Sequence, residues 1–202
     1  MPLPLRLAFV GQRVFFELCS LEEPADDVHP AFIDFRHGAD PRPLRERLDA
    51  LDPDVVFVWR PEIVPPGVLH GLRAKRIGYL TEPLPRDGNG ADPHPDLALR
   101  LSHLRAADPA NFDLILSFDP LIVPTVQQLL PVWRSLPIPV ADRVYTDEVK
   151  QSGDAAQIAF VGRSTAHREE FLGPAKHDFD VIHIAHGFTG DFSIGLGIRG
   201  HF

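Results

Sequence analysis

Cysteine occurs once, at Cys19. That excludes an internal disulfide framework and any multi-cysteine metal site, and it fits a reducing compartment. Cys19 ends the largely apolar run 14–19, so it is expected to be a buried structural thiol rather than a nucleophile. Lysine is scarce: Lys75, Lys150 and Lys176 are the only ones. With a net charge of −8, the chain lacks the clustered Lys and Arg of a nucleic-acid-binding face. No apolar run approaches the ~20 residues that cross a bilayer. Residues 1–6 lack the apolar core of a secretion signal. A cytoplasmic protein without a membrane span or a nucleic-acid partner is therefore expected. Several catalytic signatures are also missing: no P-loop, no G-x-S-x-G elbow, no H-E-x-x-H and no G-x-G-x-x-G.

What is present is an ordinary globular composition, 44% apolar and 24% charged, with enough apolar residues for a sizeable core. Short apolar runs recur at 5–10, 31–35, 54–59, 76–80, 113–118, 157–161 and 179–184. Several are continuous rather than alternating, such as Val55-Val56-Phe57-Val58-Trp59, which is the pattern of strands buried on both faces of a parallel sheet. Helices are expected between them at 43–51, 66–74, 95–106 and 123–130. Alternation of strand and helix predicts an α/β fold with a Rossmann-like doubly wound parallel sheet. The 21 prolines cluster at strand ends and helix starts, where a missing N–H is tolerated. Pro131, Pro137 and Pro139 mark 130–140 as a connector that cannot continue a helix. Residues 84–93 read as an exposed, mobile loop.

The polar stretch 146–156 has no apolar run and separates two segments. The first, 1–145, is expected to form a complete Rossmann-like domain. The second, 157–202, restarts the pattern: Ala159-Phe160-Val161-Gly162 repeats Ala8-Phe9-Val10-Gly11, and a helix is expected at 163–173. It is far shorter than the ~100 residues of a typical domain, so an incomplete second domain is expected. The apolar sheet edge of such a unit would promote self-association.

Ligands of open parallel sheets bind at the C-terminal strand ends, so the residues there are the candidates. Gly11 either lets a ligand approach the backbone or is a simple turn glycine. Arg60 and Glu62 suit anions or hydroxyls, or pair with each other. Glu82 faces a substrate, or Thr81 or Glu82 caps a short helix. Asp119 is expected to cap the following helix more than to meet an acceptor. Gly162, Arg163, Ser164, Thr165 and Arg168 combine a glycine turn, a helix N-terminus, hydroxyls and guanidinium groups, a pattern suited to a diphosphate. A plain N-cap with a solvated Arg168 is the alternative. His183 and His186 do not have a tight metal-ligand spacing, and no metal is expected.

The runs Asp54 to Glu62, Gly78 to Pro83, Ser117 to Pro120, Ile158 to Thr165 and His167-Arg168-Glu169, in that order and spacing, resemble bacterial glycosyltransferases of the GT-B type, in particular the CgeB-like (spore-maturation-protein-like) branch. The likeness spans roughly residues 5–190. It implies two Rossmann-like domains facing a cleft, the first on the acceptor side and the second holding a nucleotide-sugar. It also implies sugar transfer to an acceptor hydroxyl without a bound metal or other cofactor. On this resemblance Gly11, Arg60, Glu62, Glu82 and Asp119 are acceptor-side candidates, and Gly162, Arg163, Ser164, Thr165 and Arg168 donor-phosphate candidates. The family's acidic donor-binding residue would fall beyond position 202, so the chain alone is expected to be incomplete or inactive. The alternative is a non-catalytic Rossmann-like binding or interaction module. A receiver-like regulator is disfavoured, because Gly11-Gln12-Arg13 offers no acidic pair after the first strand.

Overall fold

The computed structural model describes residues 3–20, 27–86, 95–139, 158–161 and 166–184. The chain divides into two compact units, Met1–Tyr145 and Thr146–Phe202.

The first unit is built on a six-stranded sheet in which every described pairing is parallel. Its strands are β1 (Leu5–Gly11), β2 (Val28–Asp34), β3 (Val55–Trp59), β4 (Lys75–Leu80), β5 (Leu114–Ser117) and β6 (Val132–Ser135), in the spatial order β2-β1-β3-β4-β5-β6. Helices interleave with them: α1 (Arg13–Phe16), α2 (Pro41–Leu51), α3 (Pro95–Arg105) and α4 (Val123–Val126). This is the doubly wound, Rossmann-like α/β arrangement that the alternating pattern predicts.

Alternation along the strands sorts side chains onto two faces. Ala8, Val10, Val56, Val58, Leu80 and Ile115 join Leu44 and Leu48 of α2, Leu101 and Leu104 of α3 and Val126 of α4 in one core. Phe9, Trp59, Tyr79 and Leu116 point the other way and pack with Phe32 and with Phe16 of α1. The second face is an aromatic layer. Trp59 is fully buried and parallel to Phe16 at 4.9 Å, with Phe57 at 4.9 Å and Tyr79 at 5.2 Å edge-on. Its indole N–H donates to Ser20 Oγ at 3.1 Å, and Ser20 Oγ donates to the Phe16 carbonyl at 2.9 Å. Burial pushes the Tyr79 phenol up to about 12, and its hydroxyl donates to the Leu136 carbonyl at 2.7 Å. Cys19 is half-buried against this layer, and desolvation raises its thiol pKa, which disfavours the reactive thiolate.

Local chemistry explains the element ends. Asp40 accepts from the Arg42 N–H at 3.0 Å and caps α2, which begins Pro41-Arg42-Pro43. Asp52, at φ 42°, ends that helix with its N–H on the Leu48 carbonyl. At the N-terminal ends of the strands the same clamp appears twice. Asp54 accepts from the Arg6 N–H at 2.8 Å and from its guanidinium, bridging β3 and β1. Asp113 accepts from the Arg76 N–H at 2.8 Å and from both sides of its fork, at 3.2 and 2.8 Å, bridging β5 and β4.

Four expectations are corrected. Residues 66–74 form turns rather than a helix, because Gly67 and Gly71 take positive φ of 78° and 73°. The Gly67 and Leu69 N–H groups bond instead to the side chains of Asp108 and Asn111. The helix expected at 123–130 is one turn, α4, after a 3-10 turn at Pro120–Ile122. The 130–140 connector contains β6, a four-residue edge strand between Pro131 and Pro137. The supposedly exposed loop at 84–93 begins with buried Leu84 and Pro85, and the Pro85 carbonyl accepts from Thr125 Oγ1 at 2.6 Å; residues 87–94 lie outside the described residues.

In the second unit β7 (Ile158–Val161) pairs in parallel with β8 (Val181–Ile184), and α5 (Ala166–Asp178) connects them. The expected start at 163 lies outside the described residues, and the helix runs on through Gly173 and Pro174. Among the described residues no helix is long and apolar enough to cross a membrane.

The Asp113 clamp has a testable signature. Hydrogen bonds from Arg76 hold this carboxyl down to about 2, below the ~3.9 of an unfolded aspartate. A lowered carboxyl pKa contributes stability that is complete above the unfolded value and lost as pH falls through the folded one. The urea midpoint of Asp113→Asn should therefore lie below that of the wild type at pH 6, with the gap closing between about pH 4 and pH 2. A gap that does not change with pH would count against the clamp.

Candidate functional site

The strand order sets the location. From β1 the chain moves to β2 on one side, then returns past β1 to lay down β3 and its successors on the other. The crevice outside the C-terminal ends of β1 and β3 is the topological switch point, where open α/β sheets bind ligands. Gln12 follows β1 there, Arg60 follows β3, and Thr81 and Glu82 follow β4.

Gly11 closes β1 beside Trp59. A Cβ on Gly11 would stand 2.8 Å from Trp59 Cβ and 3.2 Å from Cδ1, closer than a side chain tolerates. Packing against Trp59 therefore accounts for this glycine without any ligand. Just past Trp59 the backbone turns sharply: Arg60 has φ 69° and ψ 83°, the left-handed region. A non-glycine residue there costs roughly 1–2 kcal/mol. Its N–H bonds the Tyr79 carbonyl at 2.9 Å, and Pro61 opens a short 3-10 turn. Pro61 packs over Gly78 of β4, where an added Cβ would lie 2.8 Å from Pro61 Cγ.

This turn places the Arg60 guanidinium among partners from three strand ends. Its Nε lies 2.9 Å from Glu62 Oε1 and 3.4 Å from Glu82 Oε1. Its Nη1 lies 3.4 Å from Gln12 Oε1. Arg100, from α3, reaches the other oxygen of Glu82, with Nε to Oε2 at 3.0 Å. The Glu62 side chain is 7% exposed, while Arg60, Glu82 and Arg100 are partly open at 20–32%. Beside them Thr81 Oγ1 is buried and has no hydrogen-bond partner, a condition that costs about 1–3 kcal/mol. Strained backbone and an unsatisfied hydroxyl thus meet beside a mixed-charge network, a combination found at ligand sites.

The structure brings Arg60, Glu62 and Glu82 together and resolves their alternatives in part. Arg60 and Glu62 do pair, and Glu82 is an ion-pair bridge rather than a helix cap. Asp119 caps the 3-10 turn after β5, accepting from the Leu121 N–H at 2.9 Å, and pairs with Arg86 at 3.0 Å. Gly162, Arg163, Ser164 and Thr165 lie outside the described residues. Arg168 falls within α5, with its side chain outside the described set. His186 also lies outside them, as does the His183 side chain. No group of three metal-ligating side chains occurs among the described residues. Sequence reasoning missed Arg100, whose only signal is its place in the helix following β4, and Thr81 as a buried orphan.

A network of alternating guanidinium and carboxylate groups, 7–32% exposed, presents donors and acceptors together at these strand ends. It is suited to holding hydroxyl groups. Compared with known protein families and with curated proteins, the chain matches none.

Two substitutions separate packing from strain. Gly11→Ala should destabilise the fold by about 1–3 kcal/mol through overpacking against Trp59, read from the denaturant midpoint. Arg60→Gly should be more stable than Arg60→Ala by about 1 kcal/mol, because glycine tolerates positive φ. Equal midpoints for the two would show that the turn stores no strain.

Proposed function

We propose that the chain is a glycosyltransferase-type polypeptide in which the first unit holds the acceptor and the second contributes to nucleotide-sugar binding. The observation that carries this reading is the Gln12–Arg60–Glu62–Glu82–Arg100 network at the switch point of a doubly wound sheet. The order of the sequence motifs across both units supports it, as does the parallel strand–helix–strand of the second unit. In this reading Arg60 and Glu82 orient an acceptor hydroxyl. Gly162, Arg163, Ser164, Thr165 and Arg168 steady the donor diphosphate, whose leaving-group charge grows in the transition state. No metal or further cofactor is invoked.

Isothermal titration of the chain with UDP-, GDP- and TDP-sugars should give saturable binding with at least one donor. Arg163→Ala should weaken that binding about tenfold or more, as expected for loss of a charge-assisted phosphate contact. Absence of binding by all three nucleotide classes would sink the proposal and leave a binding module without a donor.

A further inference from the structure

We infer that the switch-point crevice selects an uncharged, polyhydroxylated ligand and rejects phosphorylated or carboxylated ones. This names the substrate class of the site proposed above and rests on that reading of the first unit.

The charge pattern carries the inference. Along the C-terminal ends of β3, β4 and β5, each carboxylate already has a guanidinium: Glu62 has Arg60, Glu82 has Arg60 and Arg100, and Asp119 has Arg86. Among the described residues at these three strand ends, three carboxylates thus face three guanidinium groups, so this network itself holds no surplus positive charge for an anion. A phosphate approaching Arg60 or Arg100 meets Glu82 within 3.4 Å of either guanidinium. To bind, it must displace a carboxylate from its partner. For Glu62, at 7% exposure, that leaves an unpaired, nearly buried charge, which is strongly unfavourable.

A neutral diol faces no such conflict. Each hydroxyl donates once and accepts twice, a guanidinium carries five N–H donors, and a carboxylate offers about four acceptor positions. Vicinal hydroxyls can therefore accept from Arg60 or Arg100 while donating to Glu62 or Glu82, with the ion pairs left intact. Gln12 brings a side-chain amide with both donor and acceptor capacity to the same place.

The test follows the arginine Nε–H resonances of the full chain by NMR at constant ionic strength. The probes are methyl β-D-glucopyranoside, methyl α-D-mannopyranoside, glucose 6-phosphate and inorganic phosphate. At least one neutral glycoside should shift the Arg60 and Arg100 signals saturably, with neither phosphate species doing so at the same concentration. Glu82→Gln keeps the shape and removes one negative charge. It should weaken glycoside binding about tenfold and make inorganic phosphate a ligand; Glu62→Gln, judged by the same spectra, covers the case in which Glu82→Gln fails to fold.

Wild-type binding of inorganic phosphate or glucose 6-phosphate as tightly as the glycosides would overturn the inference. So would the absence of any glycoside-dependent shift. The outcome is separable from that of the donor titration. A chain that binds glycosides here but no nucleotide-sugar keeps this inference and loses the transferase reading. One that binds a nucleotide-sugar while phosphate fills the crevice does the reverse.

Discussion

The contact between Trp59 and Gly11 is the constraint on which the first unit depends. Trp59 ends a central strand, is removed from solvent, and packs against rings from β1, β3, β4 and α1. Such ring pairs are worth about 0.5–1.5 kcal/mol each beyond their buried area. The Trp59 Cβ and indole together leave no room for a side chain at the end of β1, hence glycine. β3 stops at Trp59, and the next residue, ahead of Pro61, takes the left-handed turn that carries the Arg60 guanidinium to Glu62, Glu82 and Gln12. The aromatic face and the polar network at the strand ends thus adjoin at Trp59 and Arg60.

The two ends of the sheet use the same residue types differently. At the N-terminal ends, Asp54 and Asp113 each hold one arginine by its backbone N–H and its side chain at once. Each clamp joins two neighbouring strands, and Arg6 also pairs with Asp52 at 2.9 Å. At the C-terminal ends Arg60 and Glu82 are each shared between two partners of opposite charge. The N-terminal clamps engage the backbone N–H and the side chain of the same arginine, whereas the C-terminal network joins side chain to side chain.

The strands were legible because their apolar runs are continuous, and the doubly wound arrangement follows from their alternation with helices. The 66–74 segment misled because Val68, Leu69 and Leu72 have helical spacing. Its real conformation depends on two glycines and on Asp108 and Asn111, some forty residues away, and such tertiary partners leave no local trace. β6 escaped notice because four residues between prolines carry too little pattern. At the site, Arg60, Glu62 and Glu82 stood out by position after a strand. Arg100 did not, since a helix interior does not announce which of its arginines faces a strand end. Thr81 reads as an ordinary polar residue until its burial is known.

The order of the strands has a bearing on how the chain is made. Parallel sheets depend on distant pairings and fold slowly. Here β1 receives both its neighbours from the next two strands to be synthesised, and β4, β5 and β6 each join the strand made immediately before. Among the described strands none waits for a partner from the far end of the unit. As the ribosome delivers about 5–20 residues per second, the growing border of the sheet is covered within seconds by the next strand to emerge. The interval during which a sticky border stands open is then set by the tempo of translation, not by a search through the finished polypeptide.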